Sequence, residues 1–375
     1  MKGRVPAPRS LPLLLTTWLA LSTAFCAALS SVSGGGDPGR PSLAADLGAY
    51  LADADLLYSW DATRNDALAP VRWFQSAYLG NGLLGAMVTA VVSDASTNAT
   101  SALRVDVSRT DVWACHQRAP TAYVTLRPAS GAAFLRVDMR LELLTARLRV
   151  NATLVGGGAL AFTLFVNAAD PLGATGVLAL IAEGSGAQPL TIDVTPDSSE
   201  RCSDKAPATG QAPAPWGANA SLSFATQNFS DGTVTAAWST FSDDASGGQQ
   251  ALLLAIANSQ RSTENETASL GDALAAVAVS HAFSLAGLAA AHTAWWSAFW
   301  GNTSFFSFDS AGGREGVTKL EQFAHIAGYR YASAARFTMH DLMGPWGPAH
   351  INTNGTECVG PWCKFVWDMV RAVLP

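Results

Sequence analysis

The 375-residue sequence predicts a mainly β protein, an antiparallel β-sandwich followed by a helical segment. Three observations predict it. Between Leu56 and Asn258, short runs such as LRVDVSR, FLRVDMRLELL and ARLRVNATLV alternate apolar with polar residues between turn residues, as half-buried strands do. After Asn258 the apolar spacing becomes helical, at about 3.6 residues per turn. Charged residues are only 14% and apolar ones 49%, which suits a large buried body.

The elements follow in chain order. Lys2, Arg4 and Arg9 precede the apolar run LPLLLTTWLALSTAF and the small residues of AFCAALS, so residues 1–28 read as a signal peptide and 29–55 as a flexible leader. Residues 56–260 form the sandwich domain. In it, AYLGNGLLGAMV (Ala77–Val88) reads as strand, tight Asn81-Gly82 turn and strand, because both turn residues tolerate positive φ. The strand runs continue through AYVTLRP, LAFTLFVNAA, GVLALIAE, LTIDVTP, TVTAAWSTF and ALLLAIA, whereas the Pro-rich stretch Lys205–Gly217 reads as an exposed loop. Residues 261–312 read as a helical linker of one or two helices, with Leu285, Leu288, His292, Trp295 and Phe299 on one face. Trp295, Trp296, Phe299 and Trp300 are expected to be an interdomain packing cluster. From residue 313, a further helix places Val317, Leu320, Ala324, Ala327, Tyr331 and Ala334 on a face that needs a partner.

Composition narrows the function classes. A net charge of −6 offers no basic patch for nucleic acid, and no Cys/His group has structural-zinc spacing. No cofactor is expected. No segment after the leader has the apolar length to span a bilayer, so the mature chain is expected to be secreted, without a membrane partner. Seven N-x-S/T sequons, at Asn98, Asn151, Asn219, Asn228, Asn265, Asn302 and Asn354, agree with a glycosylated exported chain. With Cys26 removed in the signal, Cys115, Cys202, Cys358 and Cys363 are an even set for an oxidising compartment. Their pairing stays open; Cys358–Cys363 with Cys115–Cys202 is the simplest arrangement.

YLGNGLLGAMV resembles the N-terminal signature of glycoside hydrolase family 95 and its relatives, which open on a phrase like lGNGrlGamv. LRVDVSRTDVW and MRLELLTARL look like the next two blocks of that family, and HTAWWSAFW is similar to its linker-helix phrase. LEQFAHIAGYRYASAAR with DLMGPW, and then FVWDM, look like the first barrel helix with its loop and the start of the next helix. The blocks keep their order from about Trp73 to Met369. The resemblance implies an N-terminal sandwich, a helical linker and an (α/α)6-barrel, of which residues 313–375 would be the first, incomplete hairpin. After WDM the family continues with a phrase like NVQ, but here Val370-Arg371-Ala372 follows, and a truncated gene model is the expectation.

The activity implied is that of an exo-glycosidase, an α-L-fucosidase or α-L-galactosidase acting on glycan ends. Inverting hydrolysis needs a carboxylic acid for the leaving oxygen and a base that activates water on the opposite face. The implied Glu and Asp belong to later barrel segments, so this chain is expected to lack a complete catalytic site. Of the family's two water-orienting Asn positions, the first falls on Asp368 and the second on Val370; Asp368 is thus the one catalytic candidate, and it completes nothing. Trp346 and Trp367 are candidates for stacking on a sugar, and Asn81 for a contact at the site edge. A non-catalytic carbohydrate-binding module and a secreted glycan-rich coat protein are the alternative readings.

Overall fold

The computed structural model describes Gly48 and residues 51–62, 76–94, 99–109, 112–114, 117–118, 121–169, 176–182, 189–196, 208–214, 221–229, 232–243, 249–259, 267–303 and 314–334. The chain divides into two compact units, Met1–Tyr50 and Leu51–Pro375, and every element below belongs to the second. Of the first unit only Gly48, which is helical, is described.

The protein is mainly β. Its strands are β1 (Leu56–Asp61), β2 (Ala77–Gly80), β3 (Leu84–Asp94), β4 (Ala99–Arg109), β5 (Trp113–Ala114), β6 (Gln117–Arg118), β7 (Ala122–Pro128), β8 (Phe134–Glu142), β9 (Arg147–Leu154), β10 (Ala159–Val166), β11 (Gly176–Ala182), β12 (Leu190–Pro196), β13 (Ala208–Pro213), β14 (Ser221–Phe229), β15 (Gly232–Asp243) and β16 (Gln249–Asn258). Among the described residues three helices follow: α1 (Thr267–Ala282), α2 (Leu285–Gly301) and α3 (Arg314–Ala334). One antiparallel sheet runs β12-β7-β4-β8-β9-β10-β11-β16-β15-β14-β13, with β1 on β8 and the β2–β3 hairpin on β4; β5 and β6 form a separate pair. The sheet folds over itself, so that β2 and β3 lie across β9, β10 and β11.

Side-chain alternation explains this layering. In β9, Leu148, Val150, Ala152 and Leu154 are buried while Arg149, Asn151 and Thr153 face solvent. β11 and β16 are instead apolar on both faces, because they are covered on both. Val177, Ala179, Leu253 and Ala255 pack with Ala273, Ala276 and Val277 of α1 in one core. The alternate residues Leu178, Leu180, Leu252 and Leu254 are fully buried on the other side. Gly176 lies on that inner side, where a Cβ atom would come within 2.4 Å of Leu84 Cβ. Gly176→Ala is therefore expected to cost about 1–3 kcal/mol through overpacking. The check is a fall in the urea midpoint at constant slope. Leu84→Ala should not rescue it, since alanine keeps the clashing Cβ atom.

Two expectations are corrected. Residues 208–213 of the Pro-rich stretch are the edge strand β13, paired with β14 from Ala208↔Thr226 to Pro213↔Ser221. Proline is tolerated there because an edge strand has one side whose N–H groups need no ladder partner. The packed body begins ahead of residue 56, since Leu51 is 0% exposed and the Asp55 carboxylate accepts the Leu143 N–H at 2.8 Å. Of the one or two helices expected for the linker, two form, bent by 98°. Ser284, at φ 60°, makes the break and caps α2 by accepting the Gly287 N–H on Oγ. Among the described residues no single helix is long and apolar enough to cross a membrane.

Candidate functional site

The residues that tie α3 to the sandwich are the candidate site. α3 buries His325, Tyr329, Ala332 and Ser333, which recur at helical spacing. Of the face expected from the sequence, Leu320 is 58% exposed and Ala324 and Ala327 are half-buried. α2 buries Leu285, Leu288, His292, Trp296 and Trp300, with Trp296 and Trp300 in place of the expected Trp295 and Phe299. The four aromatics nevertheless form one cluster, with Trp295 stacked on Phe299 at 5.9 Å and Trp296 5.3 Å from Tyr329 of α3. The Trp300 indole N–H donates to the Leu143 carbonyl at 2.8 Å, which anchors α2 to the β8–β9 turn.

The Asn81-Gly82 turn meets the C-terminal end of α3. Gly82, at φ 82°, directs its N–H to the Ser333 carbonyl at 2.8 Å. It thereby satisfies one of the carbonyls that a helix end leaves without a partner. The Tyr329 hydroxyl donates to the Tyr78 carbonyl at 2.9 Å, and the two rings lie 5.3 Å apart. Asn81 is 1% exposed. Its Oδ1 accepts the Leu83 and Leu84 N–H groups at 3.0 and 2.8 Å, and its Nδ2 donates to the Asn167 carbonyl at 2.7 Å. Asn81 thus holds the turn from inside instead of offering an amide at a site edge. The positive φ of Gly82 accounts for the glycine of that turn.

Beside this turn, the phenols of Tyr58 and Tyr78 lie near a guanidinium, and Tyr329 packs against Tyr78. The Arg330 guanidinium lies 5.5 Å from the Tyr78 ring. Burial raises Tyr58 to about 12, with the Arg330 charge pulling the other way. Burial also pushes Tyr78 and Tyr329 above the ordinary tyrosine range. All three phenols stay protonated at neutral pH, so they can donate hydrogen bonds but cannot serve as bases.

His292 closes the other side of the seam. It is 0% exposed, stacks 4.7 Å from Phe165, and accepts the Ala168 N–H on Nδ1 at 3.1 Å. That bond puts the ring proton on Nε2 and keeps the imidazole neutral. Burial, reinforced by the Arg147 charge, lowers its pKa from 6.5 to about 3. The unfolded chain therefore binds the extra proton first. Stability is complete above about pH 6.5 and falls as the pH drops toward 3, at up to about 1.4 kcal/mol per pH unit. Urea melts between those limits should show this slope. His292→Asn, which keeps an acceptor near the Ala168 N–H, should flatten it.

Five carboxylates on and beside the sheet have arginine partners. Asp106 pairs with Arg104 at 2.6 Å, and Glu142 with Arg149 at 2.7 Å. Asp55, Asp138 and Asp193 pair with Arg140, Arg136 and Arg127 at 2.7, 2.8 and 3.0 Å. Each is engaged by an arginine, so these five do not form the paired acid and base of glycoside hydrolysis. Among the described residues no group of three His, Cys, Asp or Glu side chains could hold a metal. Trp346, Trp367, Asp368, the cysteines Cys115, Cys202, Cys358 and Cys363, and the sequons at Asn98, Asn219, Asn265 and Asn354 lie outside the described residues. Asn151, Asn228 and Asn302 are exposed. Sequence reasoning did not single out Tyr58, Tyr78, Tyr329 and Arg330 as a set; the one local signal was the aromatic-basic run Tyr329-Arg330-Tyr331.

No family profile matches the chain, and no curated protein matches it in sequence. A solved structure from the human microbiome, assigned as a kojibiose phosphorylase, is similar over 76% of this chain at 11% identity and a TM-score of 0.45. The chain spans 39% of that protein.

Proposed function

We propose that this chain supplies the sandwich, linker and first barrel helix of a secreted exo-glycosidase of family 95 type, which removes α-L-fucosyl or α-L-galactosyl ends from glycans with inversion. The observation that supports this reading is a contact between two of the resembling blocks. The YLGNGLLG turn caps the helix of LEQFAHIAGYRYASAAR, through Gly82 to Ser333 and Tyr329 to Tyr78. In such an enzyme the sandwich would fix the end of α3, the helix that precedes Trp346 and Trp367 in the chain, the candidates for stacking on a sugar ring. The residues of the seam position; the acid and the base are assigned to other barrel segments.

The test is to sequence the transcript across the codon for Met369 and assay the protein it encodes. The expected result is an Asn-x-Gln continuation and release of L-fucose or L-galactose from aryl α-glycosides with inverted configuration, read by NMR. A message that stops at Pro375, together with no sugar released, would overturn the reading and leave sugar binding by the sandwich to be tested. Release that depends on inorganic phosphate would replace hydrolysis by phosphorolysis.

A further inference from the structure

The asparagines of three of the seven sequons are described residues, and their surroundings differ. Asn151 is in the middle of β9, opposite Asp138 of β8 and Ala161 of β10. Its side chain is exposed, and so is that of Thr153, the hydroxyl residue of the same sequon. Two residues apart on a strand, both side chains project from the same face. Asn228 is exposed near the end of β14, next to the point where Phe229↔Gly232 closes the hairpin to β15. Asn302 is also exposed, but its side chain is engaged. Its Nδ2 donates to the Ala298 carbonyl at 2.7 Å, and its backbone N–H reaches the Ala298 and Phe299 carbonyls at 3.1 Å. It closes the last turn of α2. Thr303, inside the same sequon, folds back too, donating from Oγ1 to the Phe299 carbonyl at 2.7 Å.

We propose that Asn151 and Asn228 carry N-linked glycans and that Asn302 does not, its amide serving as the C-cap of α2. This rests on the secretory reading above. In the transfer, the amide nitrogen attacks the anomeric carbon of a lipid-diphosphate-linked oligosaccharide. The bond from that carbon to the diphosphate oxygen breaks, the lipid diphosphate leaves with the electron pair, and one amide proton is lost. A glycan has to leave the protein surface from Nδ2. At Asn151 and Asn228 the side chains face solvent, whereas at Asn302 one amide hydrogen is held on the Ala298 carbonyl of the last turn of α2. A glycan on Asn151 would also cover the outer face of β8 and β9 around Arg136, Asp138 and Arg149. That face would then be closed to other protein, in contrast to the exposed Leu320 and Phe323 of α3.

The experiment expresses the full chain in a eukaryotic host behind a cleavable foreign signal, so that entry into the secretory pathway does not depend on its own leader. Peptide N-glycosidase in heavy-oxygen water then converts each occupied Asn to a labelled Asp for mass spectrometry. Label at Asn151 and Asn228 and none at Asn302 is expected. An unlabelled Asn151 or Asn228, or a labelled Asn302, would overturn the proposal. Asn151→Gln and Asn228→Gln should each remove one glycan step on a gel. Asn302→Gln should remove none and should lower the melting temperature. A parallel expression from the natural N-terminus separates the premise: cytosolic retention there would refute secretion, while the foreign-signal experiment still decides the sites.

Discussion

Trp300→Ala is expected to destabilise the protein by about 3–5 kcal/mol, the range for removing a large buried aromatic. Trp300 is 1% exposed, lies against Trp296 and Phe299, and has Gly328 of α3 beneath its ring, where even an added Cβ would sit 3.5 Å away. Truncation leaves a cavity where the linker, the β8–β9 turn and α3 meet. It also strips the Leu143 carbonyl of its indole donor. A buried carbonyl left in that way costs about 1–3 kcal/mol by itself. Trp300→Phe separates the two effects, since it keeps most of the ring and loses the donor; a loss of about 1–3 kcal/mol is expected there. Urea unfolding followed by tryptophan fluorescence checks both. An alanine variant within about 1 kcal/mol of the parent protein would show that α2 is not the anchor argued for it.

The second large effect is expected at Asn81. Asn81→Ala removes the acceptor of two buried N–H groups and the donor to a buried carbonyl, at a cost of several kcal/mol. Asn81→Asp is more informative. It keeps the acceptor for Leu83 and Leu84 but turns a carboxylate oxygen toward the Asn167 carbonyl in a site that is 1% exposed. Burial and the facing oxygen raise the pKa of the introduced carboxyl in the folded state. Its folded form is favoured while the group is protonated and loses stability as the pH rises through that raised pKa. The gap to the parent protein should therefore be small at about pH 4 and large at about pH 7, where an exposed carboxyl would be fully ionised. Urea melts of the two proteins side by side give that gap directly, and the acid limb from His292 cancels in the difference. A gap independent of pH would mean that the introduced oxygen had rotated away from Asn167.

Both variants act on a seam that was half legible. AYLGNGLLGAMV is a hairpin, as expected, but of the Asn-Gly pair only Gly82 has positive φ, and the Asn81 N–H closes the turn on the Leu84 carbonyl at 3.1 Å, with Gly82 and Leu83 between them. That is local chemistry, and one strand's residues contain it. What the turn is for does not follow from those residues. Gly82 serves a carbonyl at position 333, and Asn81 serves one at position 167. Asn81 looked like a polar residue available to a ligand because its partners are far away in the chain.

The strands themselves were written in the sequence, because alternation with period two marks which side chains a sheet can bury wherever its neighbours come from. So was the change to helix after Asn258. The tertiary structure alone decided which helical stripe faces inward. In α2, the stripe through Trp295 and Phe299 and the stripe through Trp296 and Trp300 are equally aromatic. The second is buried because Leu143 offers its indole an acceptor. In α3, Leu320 of the expected stripe is exposed, and the stripe of His325, Tyr329 and Ser333 lies inside. The Tyr78 carbonyl and the Tyr78 and Trp296 rings supply a hydrogen bond and ring contacts to Tyr329 there, which Leu320 could not use. Periodicity measures how much apolar surface a helix carries. Which polar partner waits on the other side is set by residues more than a hundred positions away, and that selects the face.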